Sequence, residues 1–267
     1  DYNATLTDSK LAKHYSILNV AQEADLIINV AKLKTHCYTK VTLSTKNLFG
    51  LIPGLLKVQY HLTMSKLEVF ANMLLDIERY FDNKTIHFID GVVGMEGNGP
   101  TNGVPKEANC IMASETAPYL DILACYVMGV EAFNNQTIIE AKKRGIVDTF
   151  DVNDLDVVKN SDIKTFNFNL PVERQRVLPD MVPSWIASLI NQSFIPKPQV
   201  DINNCIGCKA CEEMCPPKVI KIQAKKACIT DYNKCIRCYC CQEVCPGNAI
   251  ELSKPIGRKI LEKFMPE

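Results

Sequence analysis

The sequence predicts a large α/β domain followed by a much smaller α+β domain. Over residues 24–170, segments typical of strands alternate with segments of helical periodicity, which favours a mixed or mostly parallel sheet with covering helices. Ten of the 13 cysteines lie between Cys205 and Cys245, so the C-terminal part differs in composition from the rest. At 267 residues, 47% of them hydrophobic, the chain is long enough for one large core and one small domain.

The first half of the α/β domain is predicted to contain two strands, a long helix and a loop. Residues 24–30 form an apolar, β-branched run without helical spacing, which indicates a buried strand. Residues 65–81 place apolar side chains at helical spacing after an S-x-x-E capping box that begins at Ser65. Residues 85–90 form a second strand-like run. Residues 91–103 contain five glycines, whose conformational entropy disfavours a continuous helix or strand, so a loop is predicted.

The second half continues this alternation. Residues 108–113 predict a third strand, and residues 117–128 and 136–144 predict two helices, each followed by a glycine that suits a left-handed helix end. Residues 163–170 are typical of a late strand, after which prolines interrupt the chain repeatedly. We expect an α/β domain over residues 1–195, a linker over 196–200, the small domain over 201–253, and a tail with a short docking helix over 254–267.

Charge and hydropathy argue against several functions. Lys plus Arg and Asp plus Glu both number 30, so the formal net charge of +0 provides no field that attracts nucleic acid or an anionic membrane. The apolar runs fall well short of the roughly 20 residues that span a bilayer, so no membrane span is expected. Cysteines spaced as metal ligands, rather than scattered as in a disulfide scaffold, favour a reducing cytoplasm.

The C-terminal cysteines form an internal repeat with an offset of 30 residues. Each copy has the spacing C-x2-C-x2-C-x3-C-P, a run typical of bacterial ferredoxins. Three thiolates of such a run hold one iron-sulfur cluster, and the fourth reaches the neighbouring cluster. The spacing therefore predicts two [4Fe-4S] clusters. The expected ligands are Cys205, Cys208, Cys211 and Cys245 for cluster I, and Cys235, Cys238, Cys241 and Cys215 for cluster II.

Zinc is the competing interpretation of these thiolates. Zinc sites take C-x2-C pairs in twos, rather than runs of three with a fourth, so the spacing favours iron-sulfur clusters. The segment from Asp201 to Leu252 is also near the lower size limit for a fold that a hydrophobic core alone can hold. The clusters are therefore expected to stabilise this domain as well as to carry electrons.

Five cysteines lie outside the two predicted ligand sets. Cys110 and Cys125 fall in apolar strand and helix patterns, where a small buried side chain is the ordinary interpretation. Cys240 adjoins Cys241 and could replace it as a ligand only by breaking the x2 spacing, so Cys241 is preferred.

Two families resemble parts of this sequence. The cysteine repeat resembles the bacterial two-cluster ferredoxins. Residues 24–54, residues 90–103 and the helix that contains Asp121 resemble the family called domain of unknown function 362, whose members often carry the same ferredoxin module at the C-terminus. This second resemblance covers most of residues 1–170 and implies a segment upstream of Asp1. Because the chemistry of that family is largely undefined, the resemblance implies no substrate.

A set of mostly basic residues follows the first predicted strand, and open α/β sheets place their ligand sites at such strand ends. Such a group suits a carboxylate or phosphate ligand, and the resemblance strengthens this interpretation. Alternatively, these side chains simply project from an exposed edge or loop. The candidate ligand residues are Lys32, Lys34, His36, Lys46 and Asn47.

The glycine-rich segment is a second candidate site. It matches neither the Walker A pattern nor a dinucleotide fingerprint, but its glycines could let backbone N–H groups approach a ligand. Asp90 and Glu96, together with His36, are the candidate acids, bases or metal ligands, and Asn98 is a candidate ligand contact. A plain Gly-Pro-Asn turn explains the same residues.

Three functions are compatible with these patterns. In the first, the chain is a ferredoxin-linked oxidoreductase subunit that passes electrons between a redox partner protein and an anionic small molecule at the α/β domain. In the second, it is a non-enzymatic electron carrier whose large domain docks a partner. In the third, it is an iron-sulfur sensor or assembly protein. The common hydrolase signatures G-x-S-x-G and H-E-x-x-H are absent from the sequence.

Overall fold

The computed structural model describes residues 2–5, 10–11, 14–54, 56–64, 66–159, 161–171 and 195–253. The strands and helices up to residue 159 are β1 (Tyr2–Thr5), β2 (His14–Ile17), α1 (Asn19–Glu23), β3 (Ile27–His36), β4 (Lys40–Thr42), α2 (Ser44–Asn47), α3 (Leu56–Thr63), α4 (Leu67–Phe81), β5 (Thr85–Glu96), β6 (Val104–Ser114), α5 (Ala117–Met128), α6 (Gln136–Lys143) and α7 (Asp156–Lys159). Residues 195–253, here named the C-terminal module, contain β7 (Pro198–Val200), α8 (Ala210–Glu213), β8 (Ile220–Gln223), β9 (Lys226–Ile229), α9 (Cys240–Glu243) and β10 (Ile250–Leu252). Short 3-10 turns cover Leu48–Leu51, Asp82–Lys84, Ala132–Asn134 and Val152–Asp154.

A four-stranded mixed sheet in the order β4-β3-β5-β6 lies at the centre of the α/β domain. β3 and β5 are parallel, whereas β4 and β6 pair with them antiparallel. Because β3 and β5 are parallel, their C-terminal ends lie at the same edge of the sheet. The predicted mixed sheet with covering helices is confirmed.

Two apolar cores hold the α/β domain together. One joins the sheet to α5 and α6 and buries Leu33, Ile89 and Leu123. The other surrounds α4, where Phe70 is fully buried, and it also includes Tyr239 of the C-terminal module. Full burial of such side chains contributes about 1.5–3 kcal/mol each. The two parts of the chain therefore share a core.

β3 extends six residues beyond the predicted strand, which ended at residue 30. The alternation of burial continues through the basic residues, with Ala31 and Leu33 buried while Lys32 and Lys34 point to the opposite face. The three basic residues from Lys32 to His36 consequently lie within the strand, and the prediction that they follow it was wrong.

β5 and β6 form a hairpin that is much longer than predicted, and only residues 97–103 form its loop. A Cβ atom on Gly91 would lie 2.8 Å from Cys110 Sγ, and one on Gly94 would lie 2.7 Å from the Leu33 carbonyl oxygen. These two glycines therefore allow close packing inside the sheet, rather than a turn.

The helix predictions agree closely with the structure. α5 has the predicted bounds, and Gly129 follows it at φ 69°. α6 ends at Lys143 and is followed by the left-handed Gly145. α4 begins at Leu67 with Lys66 as a cap that makes no side-chain hydrogen bond, while Ser65 of the predicted capping box lies outside the described residues.

Residues 163–170 do not form the predicted strand. Their backbone instead runs along the end of α5, where the N–H groups of Phe166 and Phe168 donate to the carbonyls of Val127 (2.7 Å) and Met128 (2.9 Å). The alternation of apolar and polar residues that suggests a strand reflects burial of Phe168 against the first core.

The C-terminal module repeats one small unit twice. β8 pairs with β9 and β7 pairs with β10, each pair antiparallel. Residues 198–200, within the predicted linker 196–200, thus form a strand of the module. The predicted docking helix over 254–267 lies outside the described residues. Among the described helices, none is both long and apolar enough to cross a bilayer.

Candidate functional site

The repeated cysteines line two separate cavities in the C-terminal module. Each cavity takes three cysteines from one repeat and a fourth from the other. One is lined by Cys205, Cys208, Cys211 and Cys245, and the other by Cys215, Cys235, Cys238 and Cys241. These are the two sets of four that the spacing predicts, and their assignment as cluster ligands stays a prediction.

The surroundings of these cysteines suit iron-sulfur clusters. The backbone N–H groups of Ala227 and Ala249 donate to the Sγ atoms of Cys205 (3.3 Å) and Cys245 (3.2 Å), and hydrogen bonds to sulfur of this kind surround iron-sulfur clusters in proteins. Burial raises the pKa of Cys211 to about 11, so a thiolate there needs a compensating positive charge such as iron. Among the described residues, no three potential ligands gather around a single metal ion. The cysteines instead surround cavities, which suits a larger group.

Close packing shapes the loop of the first repeat. Gly207 has φ 67°, and a Cβ atom there would lie 2.3 Å from the Lys225 carbonyl oxygen. A side chain at this position would push the loop away from the β8–β9 turn. The absence of a side chain at Gly207 therefore allows the loop that carries Cys205 and Cys208 to approach this turn closely.

The second repeat is packed against the α/β domain. Tyr239 precedes α9, is 2% exposed, and donates through its hydroxyl to the Pro196 carbonyl at 3.0 Å. Its ring belongs to the second core, together with Tyr38 and Phe49. The side of the module that carries Cys238 and Cys241 is consequently the side that faces the α/β domain.

The glycine-rich loop 97–103 completes this contact. Gln242 Nε2 donates to the Asn98 carbonyl (3.3 Å), Thr101 Oγ1 donates to the Gln242 carbonyl (3.3 Å), and Asn102 Nδ2 donates to the Ile250 carbonyl (3.2 Å). A Cβ atom on Gly99 would lie 2.1 Å from the Thr35 carbonyl oxygen, so the loop lies flat against the end of β3. The predicted ligand loop thus contacts the C-terminal module.

Five polar side chains, here named the interface cluster, lie together where α9 meets the ends of β3 and α2. Its members are Lys34, His36, Lys46, His61 and Glu243. His36 is fully buried, and its Nε2 atom lies 2.9 Å from Oε1 of Glu243. The N–H of Tyr38 donates to His36 Nδ1 at 2.9 Å. Because Nδ1 accepts, the proton of the neutral ring is on Nε2, which faces Glu243.

The interface cluster contains one anionic side chain, Glu243, and two cationic side chains, Lys34 and Lys46. Burial and the charge of Lys46 lower the pKa of His36 to about 4, so the ring is neutral at pH 7. Burial lowers the pKa of Lys46 to about 8, although Glu243 opposes this shift. Burial alone would raise the pKa of Glu243, but contact with His36 and the charge of Lys46 bring it to about 2. Glu243 is therefore ionised.

A buried polar network fixes the position of α2 and hence of Lys46. Asp121 on α5 accepts hydrogen bonds from the N–H groups of Ser44 (2.7 Å) and Thr45 (3.2 Å). Asn47 Nδ2 donates to Asn29 Oδ1 at 2.7 Å. Asn47, predicted as a ligand contact, thus holds α2 against β3. Burial raises the pKa of Asp121 to about 7.

The remaining predicted site residues lie outside the interface cluster. Lys32 and Asp90 form an exposed ion pair at 2.5 Å, in which the hydrogen bond from Lys32 lowers the pKa of Asp90. Glu96 accepts from the N–H (3.0 Å) and Nδ2 (2.7 Å) of Asn169. Although burial raises the pKa of Glu96, these bonds and Lys106 lower it overall. Both carboxylates have structural partners.

Glu243, Tyr239 and Gln242 are site residues that the sequence predictions missed. A comparison of the two repeats could have found the last two. Tyr239 and Gln242 stand where the first repeat has the exposed Lys209 and the charged Glu212. The second repeat thus has uncharged residues at two positions where the first repeat is charged, which indicates that the second repeat is the buried one.

Comparisons with known proteins agree with the two-part architecture. Residues 1–126 match the family model described as domain of unknown function (DUF362), and residues 204–255 match the 4Fe-4S dicluster domain. The chain is 30% identical over 141 residues to the thylakoid-associated protein sll1697 of Synechocystis sp. (strain ATCC 27184 / PCC 6803 / Kazusa). That match covers 52% of this chain and 44% of the relative, so the chain spans less than half the length of that protein. No solved structure matches the chain significantly.

The match to a dicluster domain identifies the cofactor as two [4Fe-4S] clusters. Such clusters serve electron transfer, with reduction potentials set by charge, hydrogen bonds and solvent exposure. The chain therefore combines a domain of the DUF362 family with a C-terminal 4Fe-4S dicluster domain.

Proposed function

We propose that this chain relays electrons through its two clusters between an external redox protein and an acceptor at the interface cluster. The observation that carries this proposal is the burial of α9 against the α/β domain: α9 carries Cys241, which lines the second cysteine cavity, and Glu243, which contacts His36 at 2.9 Å. In this proposal the ligands of each cluster are the four cysteines that line each cavity.

The two cavities differ in their access to solvent. Cys208 is exposed, and the neighbouring Ile206 is 69% exposed. Cys238 and Cys241, in contrast, are buried. An external redox protein would meet the cavity of Cys208, so cluster I would exchange electrons with the partner and cluster II with the acceptor.

The interface cluster suits an anionic small molecule as the acceptor. Lys34 and Lys46 supply two positive charges, while the neutral His36 supplies one N–H donor. The chain would then act as a ferredoxin-linked oxidoreductase subunit, in a reducing compartment such as the cytoplasm.

The test measures electron flow in the anaerobically purified full chain. Iron and sulfide analysis with electron paramagnetic resonance should show two reducible [4Fe-4S] clusters after dithionite treatment. A panel of anionic metabolites should then reoxidise the reduced protein. Lys46→Met should slow this reoxidation about tenfold, because it removes a charged contact to the acceptor.

Lys32→Met is the matched control, since Lys32 lies in the exposed ion pair with Asp90. Its reoxidation rate should equal that of the unsubstituted chain. Protein that is iron-free, or reduced protein that no anion reoxidises, would contradict the proposal. Equal rates for the Lys32 and Lys46 variants would contradict the placement of the acceptor.

The alternative functions make different predictions. A non-enzymatic carrier needs no polar group beside cluster II, so the interface cluster favours an acceptor over simple docking. An iron-sulfur sensor or assembly protein should lose its clusters rapidly and reversibly in air, with altered partner binding. Clusters that persist in air would argue against that function.

A further inference from the structure

Glu243 extends from the C-terminal module into the basic groups of the α/β domain. Its Oε1 atom lies 2.9 Å from His36 Nε2, and Lys34 and Lys46 interact with the same carboxylate through their charges. The side chains of two lysines and one histidine therefore act on a single carboxylate, so this place in the fold accepts an anionic group.

The contact between Glu243 and His36 is short. The Nε2–H of His36 has Glu243 Oε1 at hydrogen-bond distance, 2.9 Å, and it would lose this partner if the Glu243 side chain turned away. Among the described residues, His61 Nδ1 in the same cluster lacks a hydrogen-bond partner. A buried donor without a hydrogen bond is costly, so an anionic acceptor that replaced Glu243 at His36 would be bound.

We propose that Lys34, His36 and Lys46 form a binding site for a small carboxylate, and that the carboxylate of Glu243 occupies part of this site when the ligand is absent. This proposal rests on the function proposed above for the location of the binding site, and it adds the chemical class of the ligand. A carboxylate is favoured over a phosphate because the resident group that contacts His36 is itself a carboxylate.

Glu243 can leave the site without separating the two parts of the chain. Its side chain is 29% exposed, so solvent can receive it after a rotation. The hydrogen bonds of Thr101 and Asn102 to the module remain, as does the burial of Tyr239. Glu243 would thus compete with the ligand while the module stays docked.

Acetate binding to the oxidised full chain tests this proposal, with acetate titrated by ligand-observed nuclear magnetic resonance. Glu243→Gln should tighten acetate binding about fivefold, because it removes the competing charge from a partly exposed pair. Lys46→Met and Lys34→Met should each weaken acetate binding about tenfold, because each removes a charged contact. Inorganic phosphate in a parallel titration should bind less tightly than acetate.

Glu213→Gln is the matched control, because Glu213 occupies the same position in the first repeat and is exposed. It should leave acetate affinity unchanged, and cluster absorbance should be the same in all variants. Weaker or unchanged binding in Glu243→Gln, or no acetate binding in any variant, would overturn the inference. Tighter phosphate binding would overturn the choice of a carboxylate. Because the protein is oxidised throughout, failure of electron relay leaves this result unaffected.

Discussion

Arg237 shows how a single residue distinguishes the two halves of the repeat. It stands where the first repeat has Gly207, and it is 6% exposed. Its Nη1 and Nη2 atoms lie 3.4 Å from the carbonyls of Pro196 and Tyr232, and Nε has no partner among the described residues. A buried guanidinium within the C-x2-C loop favours the more negative, reduced state of a neighbouring cluster.

Arg237→Gln should therefore lower the reduction potential of one cluster while the other is unchanged. We expect a decrease of about 60 mV, a tenfold change in a one-electron equilibrium. Redox titration followed by electron paramagnetic resonance measures both potentials. The control is Lys234→Gln, since the Lys234 side chain is 76% exposed and screened by water. Equal shifts in both variants would show that burial of Arg237 is irrelevant.

Residue patterns predicted some site members and not others. Lys34, His36 and Lys46 were predicted together, because basic side chains near one strand end are visible in the sequence. Asn47, Asp90 and Glu96 were predicted with them, but the structure gives each a different partner. The positions of these side chains depend on hydrogen-bond partners from distant segments, such as Asn169 for Glu96. A pattern of neighbouring residues in the sequence does not reveal such partners.

At the scale of elements, α8 and α9 have the same length and spacing but different surroundings. Lys209 before α8 is exposed, whereas Tyr239 before α9 is buried in the second core. Both residues adopt a left-handed φ angle, 68° for Lys209 and 62° for Tyr239. The backbone is therefore the same at the start of the two helices. The side chains alone therefore select which helix docks.

Tyr239→Lys should undock the C-terminal module, because it replaces a buried ring by the charged residue of the other repeat. Truncating a buried aromatic ring costs about 3–5 kcal/mol, and a buried charge adds to this. Hydrogen exchange should rise in loop 97–103 while cluster absorbance stays unchanged. Tyr239→Phe, which loses the bond to Pro196 but keeps the buried ring, should remain docked. Unaltered exchange in the lysine variant would show that the ring does not hold the interface.

The helices were easier to predict than the strands, for physical reasons. α5 and α6 carry their own end signals in Gly129 and Gly145. Strand lengths depend on partners, as in β5, which continues past residue 90 because β6 pairs with it up to Glu96. Residues 163–170 show the converse, since within the part of the chain that the structure describes no strand pairs with their strand-like alternation.

For the whole molecule, cysteines make up nearly half of the buried residues in the small core of the C-terminal module. Four of its nine buried members are Cys205, Cys211, Cys215 and Cys241. A segment of this size usually needs metal ligands in addition to a hydrophobic core. The α/β domain, in contrast, has two cores of its own, and only one of them includes a residue of the module.

Removal of iron with a chelator under anaerobic conditions should therefore unfold the C-terminal module before the α/β domain. Far-UV circular dichroism should decrease, and hydrogen exchange should rise throughout residues 198–252. Loop 97–103 should lose protection as well, since its partners lie in the module. The sheet strands β3 and β5 should keep theirs. An unchanged circular dichroism spectrum after complete loss of iron would show that the clusters are not structural.

The differences between the two repeats, among them Tyr239 in place of Lys209, have a consequence for how the C-terminal module attaches. A duplicated module with identical faces could attach either way round. Because Tyr239 lies in the second core while Lys209 is exposed, the module attaches in a single orientation. In the proposed electron relay, this orientation would make one cluster the entry for electrons and the other the exit.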